Sequence, residues 1–360
     1  MAQLRRVAPS NPAPLNPFAS VVMLPRENRQ VLLKTRPVGI PQAEHFEIVT
    51  RALPDLAQGE LLVRNDYLSV EPAMRGWVNS AANYATPVGI GEVMRSFSAG
   101  EVIASRHPGY EEGDLVMGML GWQEYAATDG STIRRKVRER DLPLSLSLGV
   151  LGINGVTAWF ALSEIGEPRA GDTVVVSTAA GAVGSAVGQI AKIAGCRTVG
   201  IAGGAAKAQL CLDAFGYDAA LDYKSEAFAS QLAAALPAGV DVYYDNTAGA
   251  ISDAVLQHIN KGARIVVCGT ASVANWEPWP HGPRVERHLL NKAARMQGFL
   301  VWDYEHRYEE AVTRLAGWVR DGRLHYREEI VEGIEHAPGS IASLYRGENS
   351  GKRLIHLNHR

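Results

Sequence analysis

The residues best suited to chemistry begin in Asp172-TVVVSTAAGAVGSAVGQIAKIAG-Cys196, where an apolar run passes directly into Ala179-Ala-Gly181-Ala-Val-Gly184 and then into a helical stretch containing Gly188 and Lys192. This is a dinucleotide-binding turn with alanine in place of its first glycine. A pyrophosphate must approach the backbone closely, so the turn needs small residues, and the helix N-terminus supplies free N–H groups and partial positive charge. Gly181, Ala182, Val183 and Gly184 are the candidate phosphate contacts, and Gly184 would also let helix and strand pack tightly. A glycine pattern alone fits any tight turn. Here the strand before it, the helix after it and the strand-like runs downstream favour a bound cofactor.

The next strand speaks to which cofactor. An enzyme specific for NAD places Asp or Glu about 20 residues on, against the ribose 2′-hydroxyl. Thr198-Val-Gly-Ile-Ala-Gly-Gly204 ends without an acid and is followed by Lys207. A missing carboxylate and a nearby ammonium suit the 2′-phosphate of NADPH. One charge-assisted contact of about 1.5–3 kcal/mol gives roughly tenfold or greater preference. Tyr223, in Leu221-Asp-Tyr-Lys224, can close the same pocket, although both residue types also occur as ordinary surface or packing groups.

Two further loops follow strand-like runs, at the strand ends where parallel sheets bind ligands. Asn246, in Tyr244-Asp-Asn246-Thr-Ala-Gly249, can hold a cofactor through its amide or bond its own turn. In Cys268-Gly-Thr-Ala-Ser272, Gly269 would let backbone N–H groups reach a ligand, with Thr270, Ala271 and Ser272 beside it. Cys268 reads as a small buried apolar group without reactivity.

These residues need a scaffold, and the chain is large enough to supply two domains. It has 360 residues, 46% hydrophobic and 21% charged, which excludes disordered, collagen-like and disulfide-scaffold classes. With 36 Lys+Arg against 38 Asp+Glu, no basic surplus points to nucleic acid or an anionic membrane. Three cysteines without a C-x-x-C pair build neither a disulfide framework nor a Cys-rich metal lobe, and imply a reducing compartment. Glu60-Leu-Leu-Val-Arg64, Gly100-Glu-Val-Ile-Ala104 and Gly113-Asp-Leu-Val-Met117 predict a largely antiparallel β domain. From about Val150 onward the texture predicts an α/β domain, with apolar strands at 173–177, 198–202, 240–244 and 264–268 alternating with helices in a doubly wound parallel sheet. A helix is predicted over 305–320, followed by a strand at 353–357 that returns to the first domain.

Residues 1–20, rich in proline after Arg5 and Arg6, lack the continuous apolar run of a signal peptide and read as a flexible arm. Residues 142–163 carry no charge over 22 positions, about the length of a membrane span. Pro143, three serines, three glycines and Asn154 interrupt that stretch, which predicts a buried helix instead. The expected location is the cytoplasm.

Together with these features, Tyr67-Leu-Ser-Val-Glu-Pro-Ala-Met-Arg75, Met296-Gln-Gly-Phe-Leu-Val301 and Gly347-Glu-Asn-Ser-Gly-Lys352 make the chain resemble the zinc-independent medium-chain dehydrogenases/reductases. The likeness is to the branch of prostaglandin reductase, leukotriene B4 12-hydroxydehydrogenase and curcumin reductase, and runs from about Asn28 to Leu357. The resemblance implies a GroES-like β-rich catalytic domain from both ends of the chain, residues 1–147 and 321–360, around a Rossmann domain at 148–320. It implies NADPH-dependent reduction of the C=C bond of α,β-unsaturated aldehydes and ketones. It puts Lys207 and Tyr223 at the 2′-phosphate and Asn246 at the ribose and phosphate region. The Cys268 loop and the backbone of Phe299, Leu300 and Val301 would line the nicotinamide, with Asn349 approaching from the other domain. It also implies a homodimer. No cysteine precedes Cys196 and the ten histidines show no ligand-like pair, so no metal is expected.

Hydride addition to the β-carbon of an enone leaves negative charge on the carbonyl oxygen, which needs a fixed donor. Tyr304 is the first candidate and Tyr67 the second, each with packing as its competing role. Tyr84 and the Pro-flanked Trp276 and Trp279 are expected to wall the substrate site between the domains. Family patterns often carry Tyr where this chain has Ala73, so pocket shape differs. Alternative functions are an NADPH quinone oxidoreductase, a carbonyl or alcohol dehydrogenase, and a non-catalytic NADPH-binding protein.

Overall fold

The structure is a computed structural model that describes residues 25–80, 85–273 and 280–359. The arm expected over residues 1–20, together with Tyr84, Trp276 and Trp279, lies outside the described residues.

β1 (Glu27–Leu33) and β2 (Phe46–Ala52) form an antiparallel pair. They are followed by β3 (Leu61–Ser69), α1 (Met74–Trp77), β4 (Ser98–Ser105), β5 (Leu115–Gly118), β6 (Tyr125–Thr128) and β7 (Ile133–Lys136). After α2 (Ile153–Phe160) the chain alternates strand and helix: β8 (Thr173–Ser177), α3 (Ala182–Ile193), β9 (Arg197–Ala202), α4 (Ala205–Asp213), β10 (Ala219–Asp222), α5 (Phe228–Ala235), β11 (Val240–Asp245), α6 (Gly249–Leu256), β12 (Ile259–Val267), α7 (Glu286–Lys292) and β13 (Arg295–Gly298). It ends with α8 (Tyr308–Arg320), β14 (Glu328–Glu332), α9 (Ala337–Arg346) and β15 (Lys352–His356).

Six strands make one parallel sheet in the order β10-β9-β8-β11-β12-β13. This is the doubly wound Rossmann order, and its direction reverses between β8 and β11. Both faces are buried, because Val174, Val176, Val242 and Tyr244 point into one core while Val175, Val199, Ile201 and Tyr243 point into another. The second large sheet is mixed, ordered β14-β15-β3-β4-β5-β7 with β6 also on β3. Its last strand pairs Leu354 with Ser69 and His356 with Tyr67, joining the two ends of the chain.

Two predicted helices differ. Residues 142–163 form a 3-10 turn (Leu144–Leu148), α2 and the start of a π-helical turn (Ala161–Gly166) in place of one helix. A β-carbon on Gly152 would lie 2.1 Å from the Ser147 carbonyl oxygen, and one on Gly155 would lie 1.8 Å from that of Val150, so the chain folds back on itself where no side chain fits. The helix expected from residue 305 begins at Tyr308, after a 3-10 segment (Val301–Arg307) in which Tyr304 is stacked on neighbouring rings.

Side chains tie the mixed sheet to α8 and to the 3-10 segment before it. Arg135, on β7 and almost wholly buried, bonds Glu139 at 2.9 Å and Glu309 of α8 at 2.8 Å. Arg134 bonds Glu305 at 2.7 Å, and the rings of Phe97 and Trp302 stack at 6.0 Å. Among the described residues no helix is long and apolar enough to cross a membrane.

Candidate functional site

The turn between β8 and α3 is built almost entirely from backbone. Thr178 takes a left-handed φ of 55°, and Gly181 caps α3 in an extended conformation without a side-chain cap. The first helical N–H groups, those of Ala182, Val183 and Gly184, have no partner earlier in the helix and point outward as donors. A β-carbon on Gly184 would lie 2.3 Å from the Thr178 carbonyl oxygen, so α3 lies against the turn as only glycine allows. Below it, Tyr217 was not apparent from the sequence as a site residue. Its ring occupies the space beside Gly188 and Gly200, and its hydroxyl donates to the Gly184 carbonyl at 2.6 Å. The signal was the small residues facing a single buried tyrosine.

β9 ends at Ala202, and Gly204 turns the chain into α4 with φ 111°. The acid of this region is Asp222, whose carboxylate accepts the Gly204 N–H at 2.7 Å and the Lys224 N–H at 2.9 Å. Among the described residues Lys207 makes no ion pair. Burial, reinforced by the charge of Lys224, holds its ammonium below the ordinary lysine range, with Glu329 pulling the other way. The Tyr223 ring lies against Gly203, whose β-carbon would be 3.0 Å from the ring edge. Lys207 and Tyr223 thus lie at the same strand ends.

At the end of β11 the organising group is Asp245, which the sequence reading passed over for its neighbour. Its buried carboxylate accepts N–H bonds from Thr247 and Ala248, both at 2.9 Å, and hydroxyl bonds from Tyr243 at 3.0 Å and from Ser252. The Asn246 side-chain amide donates to the Ser177 carbonyl at 2.7 Å, which locks the β11 loop to the β8 turn. Gly269 packs against the Asn246 carbonyl, 2.8 Å from where a β-carbon would sit, so the β8, β11 and β12 loops converge. Cys268 accepts a hydrogen bond from the Tyr244 hydroxyl at 3.3 Å, and burial pushes its thiol up to about 11. Thr270 is exposed, Ala271 opens a short 3-10 turn, and Ser272 donates its hydroxyl to the Thr247 carbonyl at 2.7 Å.

Phe299 continues from β13 with its N–H on the Val267 carbonyl at 3.0 Å, followed by half-exposed Leu300 and by Val301. Tyr304 stacks on Phe160 at 5.0 Å and on Phe299 at 5.3 Å, and among the described residues its hydroxyl makes no hydrogen bond. Tyr67 sits elsewhere, half-buried against the core of the mixed sheet, with its ring 4.9 Å from that of His356. Burial and then Glu328, Asp66 and Glu332 raise its hydroxyl above the usual tyrosine range. The two candidate donors therefore belong to different cores. Asn349 bonds the Gly351 carbonyl at 2.8 Å and shapes the turn that precedes β15.

A buried ion pair, also missed, ties two of the sequence motifs together. Lys352, 4% exposed, bonds Glu71, 7% exposed, at 2.5 Å and the Val70 carbonyl at 3.2 Å. Glu71 also accepts from Ser69 at 2.7 Å and from Asn154 of α2 at 3.3 Å. Among the described residues no three His, Cys, Asp or Glu side chains are gathered as metal ligands.

Comparison with known proteins agrees with this geometry. Residues 29–135 match the family profile described as the N-terminal domain of oxidoreductase, and residues 182–317 match that described as zinc-binding dehydrogenase. The NADPH-dependent curcumin reductase of Escherichia coli (strain K12) is 42% identical, over 92% of this chain and 97% of its own length. The 2-alkenal reductase (NADP(+)-dependent) of Nicotiana tabacum is 36% identical over 91% and 97%. The crystal structure of CurA in complex with NADPH from Vibrio vulnificus superposes with a TM-score of 0.87 at 44% identity, covering 92% of this chain and 100% of that one. With small-residue turns converging at the switch point of a Rossmann sheet and relatives this similar over almost their whole length, the chain belongs to the zinc-independent branch of the medium-chain dehydrogenase/reductase family.

Proposed function

We propose that this protein is an NADPH-dependent reductase of the C=C bond of α,β-unsaturated aldehydes and ketones. The observation that carries the reading is the convergence of the β8, β11 and β12 loops at the strand ends of the parallel sheet, with Lys207, on the helix that follows β9, making no ion pair among the described residues. The cradle fits the cofactor: a side chain at Gly184 would collide with backbone, and the helix amides above it are free donors. NADPH, when bound, would supply the hydride that adds to the β-carbon, and the enolate so formed takes a proton from water at the α-carbon to give the saturated carbonyl. Gly181, Ala182, Val183 and Gly184 would hold the pyrophosphate, Lys207 and Tyr223 the 2′-phosphate, and Asn246 the ribose region. The Cys268–Ser272 loop, the backbone of residues 299–301 and Asn349 would border the nicotinamide.

Tyr304 would donate a hydrogen bond to the carbonyl oxygen as negative charge develops there, holding that donor in place through its stacking on Phe160 and Phe299. Tyr67 is the second candidate, and burial, helped by the carboxylates around it, keeps its proton on. Tyr84, Trp276 and Trp279 are assigned to the substrate walls by sequence alone.

The proposed domain limits are residues 148–320 for the cofactor domain, with 1–147 and 321–360 forming the catalytic domain. The parallel strands at 173–298 and the mixed-sheet strands at 61–136 and 328–356 support that division. A cytoplasmic homodimer completes the reading. In support of the dimer, β13 is the outer strand of its sheet and largely exposed.

The test is NADPH oxidation against a panel of enals, enones and quinones, with product identification. A saturated carbonyl product is expected. Turnover of quinones alone would identify a quinone reductase, and tight NADPH binding without turnover would reject catalysis.

A further inference from the structure

Residues 67–75 and 347–352 are tied to each other at more points than strand pairing requires. Asn349 stands in a loop with two stems. One stem is Tyr345 of α9, whose hydroxyl donates to the Pro72 carbonyl at 3.0 Å. The other is Lys352, whose ammonium donates to the Val70 carbonyl at 3.2 Å and to Glu71 at 2.5 Å. Both stems therefore end on the same short segment, residues 70–72. Between them Glu329 of β14 accepts the Ser350 N–H at 2.9 Å and holds Arg353 at 3.0 Å, while the Asn349 amide closes the loop on the Gly351 carbonyl at 2.8 Å.

The carboxylate at the centre of this frame also reaches the cofactor domain. Asn154 of α2 is buried and donates to the second oxygen of Glu71 at 3.3 Å. Thr157 lies one helical turn further along the same face of α2. Its carbonyl accepts the Tyr244 hydroxyl, which also lies 3.3 Å from the Cys268 sulfur. The Asn349 loop and the Cys268 loop are the two walls assigned to the nicotinamide, and both trace back to Glu71 through bonded side chains and one turn of helix. Glu71, Lys352 and Asn154 are all buried, so water does not compete for these bonds.

We propose that Glu71 and Lys352 are a positioning pair for the nicotinamide site, setting the separation of the Asn349 and Cys268 loops and with it the placement of the ring between them. This inference rests on the assignment of both loops to the nicotinamide. Neither side chain touches the cofactor. Their influence falls on the nicotinamide half of NADPH and spares the adenine half, which belongs to the ends of β9 and β10.

The experiment uses the full-length protein with NADPH and 2′,5′-ADP as probes, the second carrying the adenine half alone. The double variant Glu71→Leu with Lys352→Met removes both charges together, so that neither is left buried and uncompensated. NADPH should bind it about tenfold more weakly, with 2′,5′-ADP unchanged and kcat on an enone lowered about tenfold. In the cofactor-free protein the amides of 347–352 should exchange about tenfold faster. Asn154→Ala removes the α2 bond without altering charge and should give the same split between probes at about threefold, which keeps the test open if the double variant does not fold. Asn349→Ala serves as the control and should itself weaken NADPH and not 2′,5′-ADP. If it does so while neither other folded variant separates the probes, the inference is overturned. Equal weakening of both probes in the double variant overturns it too, since a general loosening of the fold acts that way. An Asn349→Ala protein with unchanged NADPH affinity rejects the assignment of that loop to the nicotinamide, and the inference with it.

Discussion

The β8–α3 turn and the face of the mixed sheet that carries Glu71 and Lys352 solve opposite problems. The turn leaves out side chains: Gly181, Gly184 and Gly188 let backbone and a buried tyrosine come close, and N–H groups are left free. The mixed sheet brings charged side chains in and must satisfy them, with Glu71 bonded by Lys352, Ser69 and Asn154. The first arrangement suits a ligand that brings its own charge. The second is internally neutral and serves to fix the 69–72 and 347–352 segments against α2.

The largest way to break this comparison is to strip one partner from the buried pair. Lys352→Met leaves the Glu71 carboxylate uncompensated and should cost about 3–5 kcal/mol in denaturant unfolding. The double variant Glu71→Leu with Lys352→Met should recover most of that loss. If Lys352→Met alone costs nothing, the pair does not fix this face. On the other side, Gly184→Ala drives a methyl into the Thr178 carbonyl and should cost about 3 kcal/mol together with NADPH binding. Full stability with unaltered binding would show that the close packing is dispensable.

The next effects concern function without stability. Tyr304→Phe should lower kcat about 100-fold on an enone with little change in the KM for NADPH. A similar loss in Tyr67→Phe, with Tyr304→Phe unaffected, would transfer the donor role. Lys207→Ala should raise the KM for NADPH roughly tenfold and leave NADH alone. The smallest effect lies at Glu328, which accepts from Ser145 at 2.8 Å while its other oxygen is buried with no hydrogen-bond partner among the described residues. Burial raises this carboxyl above the usual range, against the pull of Ser145 and Lys352. A raised carboxylate contributes stability below its unfolded-state pKa, and loses it as pH rises through the folded-state value. Glu328→Gln should therefore be more stable than the parent at pH 8, and that advantage should fade in acid. Thermal unfolding across pH 4–8 reads it directly.

Legibility followed the same division. The β8 turn could be read because glycine is the residue type that backbone approach requires, and Lys207 stands out as a candidate because no acid ends the second strand. Asp245 could not, since a buried carboxylate satisfied by nearby N–H groups looks in sequence like any residue of an Asp-Asn turn. Glu71 and Lys352 lie 281 positions apart, and only the closing of the mixed sheet makes them neighbours. The 142–163 stretch misled because its apolar composition says nothing of the sharp reversals at Gly152 and Gly155. Tyr304 stands out by its place just beyond Phe299–Val301 and Tyr67 by its Tyr-Leu-Ser-Val motif, and the structure packs them against different cores.

The pairing of β15 with β3 also sets an order of events during synthesis. The edge of β3 at Tyr67, Leu68 and Ser69 has no partner from β6, which covers residues 61–64, and waits for residues 354–356. The whole parallel sheet leaves the ribosome in the interval, at about 5–20 residues per second, and all its pairs except β8–β11 join strands consecutive in sequence. The nascent chain therefore carries a finished nucleotide-binding half while an open strand edge persists for roughly the translation time of 280 residues. Truncation by the final ten residues leaves that edge permanently exposed.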